Sequence, residues 1–311
     1  MPATPFVAAV PDASYAAELA DVEGVELLAW DAESPHPRRD EVRLLVMPYM
    51  TRLRFTDIPT GLDALEAVQL QSAGFETFLP DVPEGVALCN AAGVHDASTA
   101  ELALALMLGS IRRIPEFSAA QTDSHWAEPK VWPALADSRV LVLGYGQIGR
   151  AITRRLLPFE VSVTAVASRA RAGDELVDRV HGIDELPDLV GSHDVVVVIV
   201  PLTDSTRGLV DADVLSRMPD GALLVNVARG GVVDTDALVA ECATGRLRAA
   251  VDVTEPEPLP AGHPMWTTPG ILITPHVGGQ TTAMRPRAVA LMRRQIERMR
   301  DGLPPDNVVN A

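Results

Sequence analysis

The stretch "VLVLGYGQIGRAI", residues 140–152, limits what this chain can fold into more than any other. An apolar, β-branched run leads into Gly144, Gly146 and Gly149 at G-x-G-x-x-G spacing, and a helix opens over Gln147 and Ile148. In such a turn the first glycine permits the tight bend, and the second lets the backbone approach a pyrophosphate. The third lets the helix pack on its strand, and the phosphates rest on the helix N-terminus. The spacing alone is a weak signal; its place between a strand and a helix makes a dinucleotide site the expectation. Such a turn belongs to a doubly wound α/β sheet of parallel strands.

The next apolar strand ends at Ser168, nineteen residues beyond Gly149, in "VASRAR". Sites that take NAD carry an Asp or Glu near this point, hydrogen-bonded to the adenosine ribose. A carboxylate would repel the 2′-phosphate of NADP, whereas a serine hydroxyl can donate to it. Arg169 adds a cationic fork, and Arg171 is either a second one or a solvated loop residue. The expectation is NADP(H), held through Ser168 and Arg169, with NAD(H) as the second choice.

At 311 residues the chain is longer than one hydrophobic core usually grows, which predicts two domains. Short apolar runs at 6–10, 25–30, 42–48, 67–72 and 86–90 alternate with helical or turn-rich pieces, the pattern of a parallel sheet covered on both faces. The pattern restarts with runs at 140–143, 161–167, 195–200, 222–227, 249–253 and 271–274. Among these, "VVVVIV" fits a fully buried central strand. Between the blocks, "DASTAELALALMLGSIRRI" (96–114) reads as a buried helix, with Asp96 or Ser98 as its cap and Ser98 with Glu101 as a capping box. A polar, proline-marked arm follows, and residues 281–302 read as an amphipathic terminal helix.

A net charge of −16 argues against nucleic-acid or anionic-membrane partners, which are bound through basic surface. Cys89 and Cys242 stand far apart without metal-ligand spacing; they read as buried apolar residues of a reducing compartment, and no metal is expected. The N-terminus lacks a basic, apolar leader, so a cytoplasmic location is expected.

Three further segments place chemistry at strand ends. "ALLVNVARGGVVDTDAL" ends a strand with Arg229, "AAVDVTEPEPLP" ends the next with Asp252 and carries Glu257 in its loop, and "ILITPHVGG" ends a third with His276. Open α/β sheets bind ligands at these carboxyl ends. Reducing a 2-keto acid needs a fixed cation for its carboxylate and a proton donor for its carbonyl oxygen. Arg229 fits the first need and His276 the second, and Glu257 on the imidazole would favour the imidazolium.

With "HDASTAELALALML", "LGYGQIGRAI", "VPLTDSTRGLV", "HPMW" and the segments above, residues 65–300 or so resemble the D-isomer-specific 2-hydroxyacid dehydrogenase family. The resemblance implies two doubly wound parallel-sheet domains with a cleft and hinge between them. Residues 1–97 plus 283–311 would form a flavodoxin-like substrate domain, and 98–282 a Rossmann cofactor domain with a dimerisation arm. It also implies a homodimer that reduces a small 2-keto acid, glyoxylate or hydroxypyruvate, to the D-2-hydroxy acid. Arg229, Glu257 and His276 would be the catalytic set.

Further roles rest on the same resemblance. Asp252 would lie near the nicotinamide carboxamide, Pro201 and Thr206 would cover the cofactor, and Val227, Ala228 and Gly278 would line its nicotinamide side. The substrate loop falls on "QSAGFE", residues 71–76, whose Ala73 and Gly74 amides would hold the substrate carboxylate; Phe75 and Glu76 depart from the family pattern. Tyr49 would face the substrate, while Trp126 and Trp266 read as packing or interface residues. Glu255 falls on a variable position and should be solvated. Glu160 replaces a glycine of the reductases and should matter little. Two rivals share the scaffold: formate dehydrogenase relatives, which carry glutamine where this chain has Glu257, and nucleotide-sensing, corepressor-like binding proteins.

Overall fold

The computed structural model describes residues 5–310 except Arg52. The chain divides into two compact units, Met1–His95 with Thr282–Ala311, and Asp96–Thr281.

In the first unit β1 (Phe6–Val10), β2 (Val25–Ala29), β3 (Leu44–Val46), β4 (Ala67–Gln69) and β5 (Ala87–Cys89) form an all-parallel sheet in the order β2-β1-β3-β4-β5. This is the flavodoxin-like order. Helix α1 (Ala13–Glu18) starts where the Asp12 carboxylate accepts the N–H groups of Ser14 and Tyr15, at 2.8 and 2.9 Å.

The second unit begins with α2 (Asp96–Ile111) and α3 (Ile114–Thr122), then β6 (Arg139–Leu143), α4 (Gln147–Leu156), β7 (Ser162–Ala167) and the β8 (Arg171–Ala172) and β9 (Arg179–Gly182) hairpin. It continues through α5 (Leu186–Leu189), β10 (Val195–Val198), α6 (Ala212–Arg217), β11 (Leu223–Asn226), α7 (Thr235–Ala243), β12 (Arg248–Val251) and β13 (Ile271–Ile273). The sheet order is β13-β12-β11-β10-β6-β7-β9-β8, parallel except for the β8–β9 pair. Alternate side chains serve opposite layers: Leu141 and Leu143 of β6 face one core, Val140 and Val142 the other. The run "VVVV" of β10 is buried throughout, between β6 and β11. Each such valine contributes roughly 1.5–3 kcal/mol by leaving water.

Two local expectations are corrected. Ser98 lies inside α2 rather than at its cap, and its hydroxyl meets the Thr281 hydroxyl at 2.6 Å, so it forms no capping box with Glu101. Glu160 sits in the left-handed region, φ 62°, at the turn that leads from α4 towards β7. A glycine would be unstrained there, whereas an L-residue costs roughly 1–2 kcal/mol, so this surface replacement does matter.

The chain re-enters the first unit as α8 (Met284–Arg300). Its buried Gln295 donates to the Gln69 side-chain oxygen at 2.9 Å, and Gln69 in turn donates to the carbonyls of Leu70 and Asn90 at 2.7 and 3.0 Å. Both cysteines are buried and unbridged. No helix among the described residues is long and apolar enough to cross a membrane.

Candidate active site

At the end of β6 the three glycines do different work. A Cβ on Gly144, φ 113°, would lie 2.5 Å from the Ile199 carbonyl oxygen, and one on Gly149 would lie 1.9 Å from that of Gly144. These two are demanded by the turn and by helix-on-strand packing. At Gly146 a Cβ would meet nothing within 4 Å. The protein itself leaves that side open, which is what a pyrophosphate lying against the backbone requires. Gly146 also caps α4 without a side-chain bond, so the first-turn N–H groups stay available to an anion. The loop therefore fits a dinucleotide.

A polar network holds this loop. The Tyr145 hydroxyl donates to Asp174 at 2.9 Å, Arg150 pairs with Asp174, and Arg171 donates to the Tyr145 carbonyl at 2.9 Å. Burial, helped by the Asp174 carboxylate, pushes the Tyr145 hydroxyl up to about 12. Arg171 is thus committed to the glycine loop. Ser168 and Arg169 are exposed at the end of β7, and Arg169 forms no ion pair or hydrogen bond among the described residues. After β10, the Thr206 hydroxyl donates to the Pro201 carbonyl at 2.6 Å and accepts the Thr203 N–H at 2.8 Å, so it shapes its own loop.

Arg229, Glu257 and His276 follow β11, β12 and β13, which are adjacent and in register through Asn226, Val251 and Ile273. The turn that delivers Arg229 is built by Asn226, a buried residue the sequence reading passed over. Its side chain donates to the Arg229 carbonyl at 3.0 Å and accepts the Ala228 N–H at 3.0 Å. Arg229 itself donates to the Ala228 carbonyl at 2.7 Å; Val227 and Ala228 are buried. Gly230 is obligatory, because a Cβ would lie 2.1 Å from the Thr254 carbonyl, whereas one on Gly231 would meet movable side chains, the Glu255 carboxylate nearest at 2.0 Å. Glu255 is paired with Arg207 at 2.9 Å instead of being merely solvated.

Asp252 is buried, with both oxygens engaged. The Thr274 hydroxyl (2.6 Å) and the Val277 N–H (2.9 Å) donate to one, and the Gly278 N–H (2.9 Å) to the other. Its carbonyl also accepts the His276 N–H at 2.8 Å. Asp252 is therefore the post on which the histidine loop is built. His276 adopts φ 54°, a left-handed conformation that the surrounding bonds impose. Its Nδ1 lies 2.5 Å from Glu257 Oε1, which leaves Nε2 as the ring nitrogen for other chemistry.

In the first unit, Tyr49 stacks on His95 with ring centroids 5.6 Å apart, and burial raises the Tyr49 hydroxyl above its ordinary value. Ala73 and Gly74 lie in a partly buried loop after β4. Trp126 is 88% exposed, and Trp266 is exposed with its ring N–H on the Pro260 carbonyl at 3.0 Å, so neither is a core residue of this chain.

Fold and glycine loop together define a dinucleotide-binding α/β protein with ionisable groups gathered at neighbouring strand ends. The sequence pattern of the NAD binding domain of the D-isomer specific 2-hydroxyacid dehydrogenases matches residues 104–278. The human glyoxylate reductase/hydroxypyruvate reductase is 32% identical over 280 residues, 86% of this chain and 85% of that one. A D-isomer specific 2-hydroxyacid dehydrogenase from Xanthobacter autotrophicus Py2, solved with NADPH and MES, superposes with a TM-score of 0.80 at 28% identity, covering 99% of this chain and 98% of that one. A family member from Aeromonas salmonicida gives 0.82 at 26% identity, over 98% and 97% of the two chains. The chain belongs to the D-isomer specific 2-hydroxyacid dehydrogenase family, and is built to bind a nicotinamide dinucleotide.

Proposed function

We propose that this dehydrogenase reduces a small, unphosphorylated 2-keto acid, glyoxylate or hydroxypyruvate first, to the D-2-hydroxy acid, with NADPH as preferred donor. The observation that carries the proposal is the 2.5 Å contact of His276 Nδ1 with Glu257, one strand away from the Arg229 turn. When bound, NADPH supplies the hydride. With Nδ1 turned to the carboxylate, His276 Nε2 holds the proton that goes to the substrate carbonyl oxygen, and Glu257 stabilises the imidazolium. Arg229 binds the substrate carboxylate and polarises the carbonyl. Tyr49, Ala73 and Gly74 contribute the remaining substrate contacts.

For the cofactor, Gly144, Gly146, Gln147, Ile148 and Gly149 cradle the pyrophosphate, and Ser168 with Arg169 takes the 2′-phosphate. The uncommitted Arg169 supports this, as does the NADPH found with the Xanthobacter relative. Pro201, Thr206, Val227, Ala228 and Gly278 line the nicotinamide side, where Asp252 acts through the loop it holds. Exposed Ile114, Phe117, Trp126 and Val131, on α3 and the arm after it, support a homodimer.

The test is kinetic. His276→Ala should lower kcat for keto-acid reduction by about 10²-fold or more, while the Kd for NADPH stays within about twofold. A variant with wild-type kcat would remove His276 from the mechanism.

A further inference from the structure

The loop of residues 71–76, whose amides the family resemblance gives to the substrate carboxylate, is held by side chains from outside it. Four successive carbonyls are held from behind. That of Gln71 accepts the His95 Nε2–H at 2.6 Å, that of Ser72 the Ala91 N–H at 2.8 Å, that of Ala73 the Asn90 side-chain amide at 2.9 Å, and that of Gly74 the Ser72 hydroxyl at 2.7 Å. A trans peptide is planar, so each N–H points opposite to the preceding carbonyl. Pinning the carbonyls of Gln71, Ser72 and Ala73 therefore aims the amides of Ser72, Ala73 and Gly74 the other way. None of these three N–H groups has a partner among the described residues. The next amide, of Phe75, donates to the Glu76 carboxylate at 3.0 Å, so a carboxylate oxygen already lies at the end of the row.

His95 is an unusual residue to spend on this task. It is 5% exposed, and because a carbonyl only accepts, its hydrogen is on Nε2; Nδ1 is buried with no partner among the described residues. An unmet buried nitrogen is destabilising, so what this side chain contributes is the bond to Gln71, beside its stacking on Tyr49. Gln71 is fixed from its other end too, through Tyr15 at 2.5 Å and the Met47 carbonyl at 2.9 Å.

We propose that His95 and Asn90 are positioning residues which, by holding the carbonyls of Gln71 and Ala73, present the amides of Ser72, Ala73 and Gly74 as a cradle for the substrate carboxylate. The identity of that carboxylate rests on the functional proposal above. His95→Leu and Asn90→Ala should each raise KM for glyoxylate roughly threefold to tenfold, with kcat and the Kd for NADPH within about twofold. His95→Gln, which keeps an N–H donor, should recover much of the loss, which a merely space-filling role would not allow. Thermal melts check whether each variant is folded, and Asn90→Ala carries the test if His95→Leu is not. Unchanged KM in both variants would overturn the proposal while leaving the reductase activity intact. If the wild-type protein reduces no 2-keto acid, the functional proposal fails on its own, and hydrogen exchange decides this one. Oxalate should then slow exchange at residues 72–74 in the wild type and less so in His95→Leu; no slowing in the wild type overturns it.

Discussion

A serine rather than an acid follows β7, and the two arginines after it have separate parts. Arg171 is tied to the glycine loop through the Tyr145 carbonyl, whereas Arg169 stands exposed and unengaged among the described residues. Ser168→Asp combined with Arg169→Ala should lower the NADPH:NADH ratio of kcat/KM by about 10²-fold, the loss of charge-assisted bonds plus a new repulsion. Arg171→Ala should instead weaken both cofactors alike, because it loosens the loop they share; fluorescence titration that finds a loss confined to NADPH would reverse these roles. The glycines and the Arg229, Glu257 and His276 set were legible because each depends on spacing within one short segment. Asn226 was not, although its bonds stay within residues 226–229, because a side-chain-to-backbone turn leaves no spacing signature. Arg207 and the full engagement of Asp252 were not, because their partners lie far along the chain and only packing brings them together. Asn226→Leu, nearly isosteric, should lower kcat/KM by about tenfold or more by freeing the Arg229 turn, with little effect on cofactor binding.

At the scale of elements, apolar runs located eleven of the thirteen strands among the described residues, and the two they missed are instructive. The β8–β9 hairpin is short, carries arginines and lies at the sheet edge, so it has no apolar signature. The Glu160 turn shows the converse, a residue whose cost is visible only in its backbone angle. Glu160→Gly should stabilise the protein by about 0.5–1 kcal/mol, a rise in Tm of about 2 °C, since relief of strain exceeds the entropy a glycine adds to the unfolded chain. His193, just before β10, ties the end of α5 to β7, donating from Nδ1 to the Leu189 carbonyl and accepting the Thr164 hydroxyl at Nε2, each at 2.8 Å. Burial pushes its ring below the ordinary value of 6.5. The unfolded chain then takes up a proton near that pH while the folded one does not, so the stabilisation is present above 6.5 and is lost as the pH falls below it. The drop in Tm between pH of about 7 and about 5 should shrink in His193→Gln; an equal drop would assign it to other groups.

For the whole molecule, two blocks of alternating apolar runs were enough to indicate two parallel sheets, because strands buried on both faces are apolar throughout. Strand order and the grouping of the last helix with the first unit were a different matter: nothing local says that β1 pairs with both β2 and β3 or that α8 returns, and only the family resemblance suggested either. That return is secured by Gln295 and Gln69, buried amides that a hydropathy pattern can only register as defects in a core. The chemistry and the cofactor choice are joined in one measurement, steady-state kcat/KM for glyoxylate and hydroxypyruvate, with NADPH and NADH side by side. The expected result is reduction of at least one acid, with NADPH preferred by about tenfold or more, as two to three charge-assisted contacts to a 2′-phosphate require. Equal or better use of NADH would contradict the role given to Ser168 and Arg169, and no oxidation of either cofactor across 2-keto acids would point to a nucleotide-sensing protein on this scaffold.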